Sequence, residues 1–258
     1  MTHEQASYNQ RRARFRRMLT VYGRKSVLEA LRDTSLSIHA VHLADSNRES
    51  GIIREIRSLA EQRGIELRRH DREALSRISR NGRQDQGVAA DIVCPEFRDI
   101  DDYLSDIEPD QRLLALDGIT NPQNAGMIIR SAVAAGIDGV IYPDRGNAAL
   151  GPLVIKASVG TLFGAPLLRC DALPAALLQC NECGFDVFYL DGSASGSLFE
   201  LPTGGRQIFV LGGETDGVSR EVQKIAKGGL SIPMSNGVES LNVAVSAALV
   251  AYAGYLSQ

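Results

Sequence analysis

Three stretches of this sequence place polar side chains where a buried strand end or an apolar helix would not need them. The first is Leu116-Asp117-Gly118-Ile119-Thr120-Asn121-Pro122-Gln123-Asn124-Ala125-Gly126, which continues into Arg130-Ser131-Ala132. A strand ends in a turn of Asp, Gly, Asn and Pro, a helix begins, and Arg130 follows Asn124 amid Met127, Ile128 and Ile129. A capped helix with a surface arginine would show the same pattern. The second is Phe209-Val210-Leu211-Gly212-Gly213-Glu214-Thr215-Asp216-Gly217. Its glycines let the backbone approach a ligand and turn N–H groups outward. Glu214 then stands at the carboxyl end of a strand, the ligand edge of open α/β sheets. An ordinary glycine turn competes with that reading. The third is Ile232-Pro233-Met234-Ser235-Asn236-Gly237-Val238-Glu239-Ser240-Leu241-Asn242-Val243-Ala244. A buried Asn without partners costs about 1–3 kcal/mol, and capping of the following helix explains Ser240 better than Asn242.

Other chemistries find less support. Cys180 and Cys183 form a lone Cys-x-x-Cys on an apolar helix, with no second pair to complete the four ligands that zinc requires. His39 and His42, three apart on a strand, face opposite sides and cannot share a metal. No metal site is expected. Neither G-x-G-x-x-G nor G-x-x-x-x-G-K-[ST] occurs, which excludes most dehydrogenases and nucleoside triphosphatases.

The elements that must hold these groups follow from composition and periodicity. The chain has 258 residues, 44% hydrophobic and 23% charged, ordinary values for one large or two smaller globular domains. No run reaches the roughly 18 apolar residues of a membrane span. The first twenty residues lack the apolar core of a secretory signal, so a reducing cytoplasm is the expected location. The net charge of -3 hides an asymmetry, because residues 1–90 carry +7 and the remainder -10. A basic front on an acidic back suggests a polyanion-binding module. Residues 1–20, with Arg11, Arg12, Arg14, Arg16 and Arg17, read as a mobile basic arm suited to phosphate contacts.

Residues 21–94 alternate helix and strand patterns in a small α/β domain, with a strand at Ile38–Leu43, a helix at Gly51–Arg63, a helix capped by Asp71 and a strand at Val88–Val93. Residues 95–111, rich in Asp and Glu with two prolines, read as an acidic linker. In residues 112–258, short apolar strands at 113–116, 139–142, 186–190, 207–211 and 229–232 alternate with helices at 124–135, 173–183, 219–226 and 239–256. That order implies an α/β domain with a mostly parallel sheet covered on both faces.

Taken together and in this order, the three polar stretches resemble the motifs of the SpoU (TrmH) family of RNA ribose 2′-O-methyltransferases in the SPOUT superfamily. Lys156-Ala157-Ser158-Val159-Gly160-Thr161-Leu162-Phe163 is similar to the segment joining its first two motifs. Tyr22-Gly23-Arg24-Lys25-Ser26-Val27-Leu28 and Gln86-Gly87-Val88-Ala89-Ala90 resemble the ribosomal-protein-like substrate-binding domain that precedes many members. The resemblance implies a C-terminal α/β domain with a deep trefoil knot, a homodimer, and S-adenosylmethionine as cofactor. It assigns Gly212, Ile232 and Leu241 to cofactor binding. It makes Arg130 the catalytic arginine, supported by Asn124, Glu214, Ser240 and Asn242, while Arg24 and Lys25 join the arm in binding RNA. Two departures stand out: Ser235-Asn236 precede the glycine where one residue is usual, and Glu239 puts a charge beside Ser240. The layout is most similar to the 23S rRNA guanosine methyltransferases. A tRNA enzyme, a base-methylating relative and a non-catalytic RNA-binding relative are the alternatives.

Overall fold

The computed structural model describes residues 16–49, 51–202 and 204–254, and the chain divides into two compact units, Met1–Pro95 and Glu96–Gln258. The first contains β1 (Met18–Tyr22), α1 (Arg24–Arg32), β2 (Ser37–Ala44), α2 (Gly51–Gln62), β3 (Glu66–His70), α3 (Arg72–Ser79) and β4 (Val88–Val93). Its sheet runs β1-β4-β2-β3, antiparallel except for the β2–β3 pair. Ile53, Ile56 and Ala60 recur at helical spacing on α2 and are fully buried. The Asp71 carboxylate accepts from the Ala74 N–H at 2.7 Å, the side-chain cap that starts α3.

Part of the segment expected to be a basic arm is a strand. Met18–Tyr22, adjoining the arginines, pairs with β4 over five residues, and Arg16 is only 8% exposed. Local composition favoured a loose tail, but the unpaired edge of β4 supplies a partner that makes the segment a strand.

One side-chain chain crosses the whole sheet. Thr20 on β1 donates to Asp91 on β4 at 2.7 Å; His42 on β2 bonds the other Asp91 oxygen at 3.0 Å and His70 on β3 at 2.9 Å. His39, the neighbour considered with His42, sits at a register shift of β2 against β4. Burial alone would raise the Asp91 carboxyl, but the hydrogen bonds from His42 and Thr20 outweigh it and hold the group below its ordinary value. Burial, then the nearby His42 and Arg68, lowers His70. Both shifts act in one direction on stability. A depressed carboxyl stabilises the fold above its unfolded pKa, and that stabilisation is lost as pH falls through the folded value. A depressed histidine is held neutral by the fold, so stability falls once pH drops below the unfolded value of 6.5. Amide exchange of β2 and β4 is therefore expected to accelerate as pH is lowered from about 7.5 to about 5, after correction for intrinsic exchange. His70→Gln should flatten that dependence; an unchanged slope would remove His70 from the linkage.

The second unit holds β5 (Arg98–Asp99), α4 (Ile100–Leu104), β6 (Gln111–Asp117), α5 (Pro122–Ala134), β7 (Gly139–Pro143), α6 (Pro152–Ala157), β8 (Leu167–Cys170) and α7 (Leu173–Glu182). It continues with β9 (Asp186–Leu190), β10 (Gly196–Ser197), β11 (Arg206–Gly212), α8 (Arg220–Ile225), β12 (Gly228–Ser231) and α9 (Val243–Ala253). Eight strands pair in the order β10-β12-β9-β11-β6-β7-β8-β5, all parallel. The central strands are buried along their length, as sheets covered on both faces require. The stretch expected to be a linker is partly built into this unit. Arg98–Asp99 forms an edge strand on β8, and Ile100 and Tyr103 enter the core beside Leu168 and Leu177. Its charges conceal two apolar anchors spaced for one face of a helical turn. Cys180 is buried in the same core, and burial, aided by neighbouring Cys183 and Cys170, pushes its thiol up to about 12.

Candidate active site

The strand order reverses around β6 and β11. The chain leaves β6 through α5 toward β7 on one side, and leaves β11 through α8 toward β12 on the other. Ligands of open α/β sheets bind outside the carboxyl ends of strands at such a point. There the loops after β6, β9, β11 and β12 converge.

The loops after β6 and β11 are fastened to each other. The Asp117 carboxylate accepts from the Ser219 N–H at 2.7 Å, ahead of α8, and Asn147 holds Ile119 N–H at 2.6 Å and Leu116 C=O at 3.0 Å. Gly213 to Gly217 closes a tight turn through Gly217 N–H to Gly213 C=O at 3.0 Å. A Cβ on Gly212 would lie 2.1 Å from the Gly217 carbonyl carbon, and one on Gly213 2.6 Å from the Gly118 oxygen. Only glycine permits this approach of backbone to backbone.

Three of the polar residues singled out by sequence meet here. Asn124, 3% exposed in the first turn of α5, donates its amide to Glu214. The Asn242 amide reaches Asn124 Oδ1 at 3.2 Å and Glu214 Oε1 at 3.3 Å, while its own Oδ1 accepts from Ala244 N–H at 2.9 Å. Asn242 is therefore the cap of α9 as well as a member of the cluster. The expected cap, Ser240, lies before it in an irregular stretch, and α9 begins at Val243 rather than Glu239. Partners 90 and 118 residues apart in sequence thus give the buried Asn124 amide one donor and one acceptor bond.

Beside the cluster lies a cavity of about 630 Å³ whose wall includes Gly212, Ile232 and Leu241, together with Glu214, Ser240 and Asn242. A smaller one of about 140 Å³, lined by Thr120, Asn121 and Asn124, shares Gly213, Glu214, Asp216 and Val243 with it. Ser240 reaches the large cavity without a hydrogen bond to the cluster. Arg130 lines neither cavity; it is exposed on α5, and among the described residues nothing bonds its guanidinium. Sequence reasoning missed the end of β9, where Tyr189, Leu190, Asp191 and Gly192 complete the large cavity. An apolar strand followed by Asp-Gly was the available signal, the pattern already noted at Asp117-Gly118. The unusual turn before Glu239 has Asn236 and Gly237 both left-handed, with Val238 N–H bonded to Ser235 C=O at 3.3 Å.

With this geometry in place, the relatives become informative. Residues 111–252 match the SpoU rRNA Methylase family, and residues 20–97 match the RNA 2′-O ribose methyltransferase substrate binding domain. The chain belongs to the SpoU family. It is 31% identical over 235 residues to a 23S rRNA (guanosine-2′-O-)-methyltransferase, RlmB, of Xylella fastidiosa, covering 90% of this chain and 94% of the relative. An uncharacterised tRNA/rRNA methyltransferase of Mycolicibacterium vanbaalenii is 33% identical, over 89% of this chain and 74% of the relative. The SpoU methyltransferase AviRb of Streptomyces viridochromogenes, solved in complex with AdoMet, shares the fold with a TM-score of 0.64, at 21% identity over 93% of this chain and 90% of that one.

Of the residues expected to bind RNA, Arg11, Arg12 and Arg14 lie outside the described residues. Arg16 is buried, while Arg17 and Lys25 are exposed. Arg24 holds the Gln86 carbonyl and the Asn47 side chain, each at 3.2 Å, so it braces the loops around the start of α1.

Proposed function

We propose that this SpoU protein transfers a methyl group from S-adenosylmethionine to the 2′-hydroxyl of an RNA ribose, with a guanosine of 23S rRNA as target. The convergence of Asn124, Glu214 and Asn242 on the rim of the cavity lined by Gly212, Ile232 and Leu241 carries this reading. The cavity suits the cofactor: Leu211, Ile232 and Leu241 offer apolar surface for the adenine, Gly212 and Gly213 contribute backbone to its wall, and no lining residue is a cation that would repel a sulfonium. When bound, S-adenosylmethionine supplies an electrophilic methyl group.

The protein's own part is positioning and charge. A ribose hydroxyl must lose its proton as it attacks, and it must be held in line. The smaller cavity, walled by Thr120, Asn121 and Asn124, shares Glu214 with the larger one and is suited to presenting that hydroxyl. Asn124 and Asn242 fix the Glu214 carboxylate through their amides. Arg130, six residues after Asn124 on α5 and outside both cavities, is assigned to the reaction by its match to the family's motif; a free arginine stays protonated, which favours alkoxide stabilisation over proton abstraction. Met127 beside it on α5, and Val245 and Tyr252 on α9, are exposed apolar residues on two helices that pack together, which supports a homodimer through this surface. The trefoil knot is proposed from membership of the family. A cytoplasmic location agrees with an RNA substrate, and among the described residues no helix is long and apolar enough to cross a membrane.

Mapping ribose methylation by mass spectrometry in rRNA and tRNA, with and without the purified protein, tests the reading. A new 2′-O-methylguanosine in 23S rRNA is the expected result; a tRNA product would reassign the substrate, and none in either RNA would favour a non-catalytic RNA binder. Removing residues 1–95 is expected to weaken RNA binding about tenfold or more, and to flatten its salt dependence, without changing cofactor affinity. Equal RNA affinity in both proteins would relocate the RNA-binding surface to the second unit.

A further inference from the structure

The wall of the large cavity carries four carboxylates, Asp191, Glu214, Asp216 and Glu239, and no lysine, arginine or histidine. They come from three loops, those after β9, β11 and β12, so the charge surrounds the space. Two are partly committed. Glu214 accepts from Asn124 and Asn242, and one oxygen of Asp191 accepts from both Ser193 N–H and its hydroxyl at 2.8 Å. Asp216 and Glu239 have no ion-pair or hydrogen-bonding partner among the described residues. Unpaired acids left facing a shared cavity repel one another, and a cation placed among them relieves the repulsion.

We propose that this anionic wall lets the protein tell the methyl donor from its demethylated product by charge, with Glu239 as the principal discriminating residue. The inference rests on the cavity being the S-adenosylmethionine site. Donor and product differ by one methyl group and one positive charge at sulfur. Methyl transfer forms the C–O bond, breaks the C–S bond with its electron pair returning to sulfur, and releases the hydroxyl proton to water. Sulfur is then a neutral thioether, and the attraction to the wall disappears at the moment the product must leave. Glu239 carries the argument because it is an exposed lining residue of the cavity, its carbonyl passes close to Gly192 on the opposite loop, and no described residue pairs with its side chain. A charge a few ångströms from a carboxylate in a partly solvated site is worth about a tenfold change in affinity or more.

Calorimetric titration of the full-length protein with S-adenosylmethionine and with S-adenosylhomocysteine tests the proposal without turnover. The donor is expected to bind about tenfold more tightly than the product. Glu239→Gln should weaken the donor severalfold and leave the product unchanged, and raised salt should narrow the ratio in the native protein. A product that binds as tightly as the donor, or a Glu239→Gln variant that shifts both ligands equally, overturns the proposal while leaving the cofactor site intact. Absence of heat with both ligands overturns the cofactor reading itself, and this inference with it.

Discussion

Alanine at position 130 is expected to slow methyl transfer by about 10²–10³-fold while leaving fold and cofactor affinity unchanged. Arg130 is exposed and unpartnered among the described residues, and alanine is the best helix former, so α5 should lose nothing by the change. The Asn124–Glu214–Asn242 cluster is held by hydrogen bonds that do not involve Arg130. A deficit confined to turnover would place the guanidinium at the reacting oxygen or the adjoining phosphate. Single-turnover methylation at saturating cofactor is the measurement, and near-native rates would end the assignment. Arg130→Lys then separates two roles. Retained activity would mean that a point charge is enough; loss comparable to alanine would mean that the planar, bidentate fork is needed.

Gly212→Ala should have the other large effect, for a reason unrelated to charge. The added Cβ would meet the Gly217 carbonyl carbon at 2.1 Å and the Val218 nitrogen at 2.2 Å. Both are backbone atoms in a turn tied by Gly217 N–H to Gly213 C=O, so no side chain can swing away. Overpacking of this kind costs about 1–3 kcal/mol, and here the strain falls on the wall of the large cavity. We expect a loss of cofactor affinity of about tenfold to a hundredfold together with a lower melting temperature. Gly228→Ala, at the start of β12 with nothing within 4 Å of the added atom, is the matched control and should be close to neutral. Equal behaviour of the two variants would show that the Gly212–Gly217 approach is not needed for binding.

Much of the fold is visible in the sequence because its parts are short and locally constrained. Asp71 caps α3 as its position before an apolar period implies, and β11 is legible as an apolar run opening into glycines. Arrangement is less visible. Nothing near Asn242 indicates that its amide turns toward Asn124 while its carbonyl caps α9, because the partner is 118 residues away. Strands that depend on a neighbour are missed for the same reason. Met18–Tyr22 acquires its identity from β4, and Arg98–Asp99 from β8. The Thr20–Asp91–His42–His70 chain draws one residue from each of four strands, and no local pattern announces it. The asymmetry in charge suggested a polyanion-binding front module, and residues 20–97 match an RNA 2′-O ribose methyltransferase substrate binding domain.

The grip on α9 sets when in the protein's life the site can exist. At its start, Asn242 is bonded into the cluster with Asn124 and Glu214; at its end, the Arg112 guanidinium on β6 holds the Val250 oxygen at 2.8 Å and stacks over Phe209 at 5.3 Å. The helix is thus pinned at both ends by elements synthesised long before it. A ribosome-bound chain whose α9 is still in the exit tunnel has β6, α5 and β11 but lacks the third amide and one cavity wall. The site therefore cannot close until α9 has left the tunnel and docked on both of these earlier elements, and a nascent chain cannot modify RNA before then.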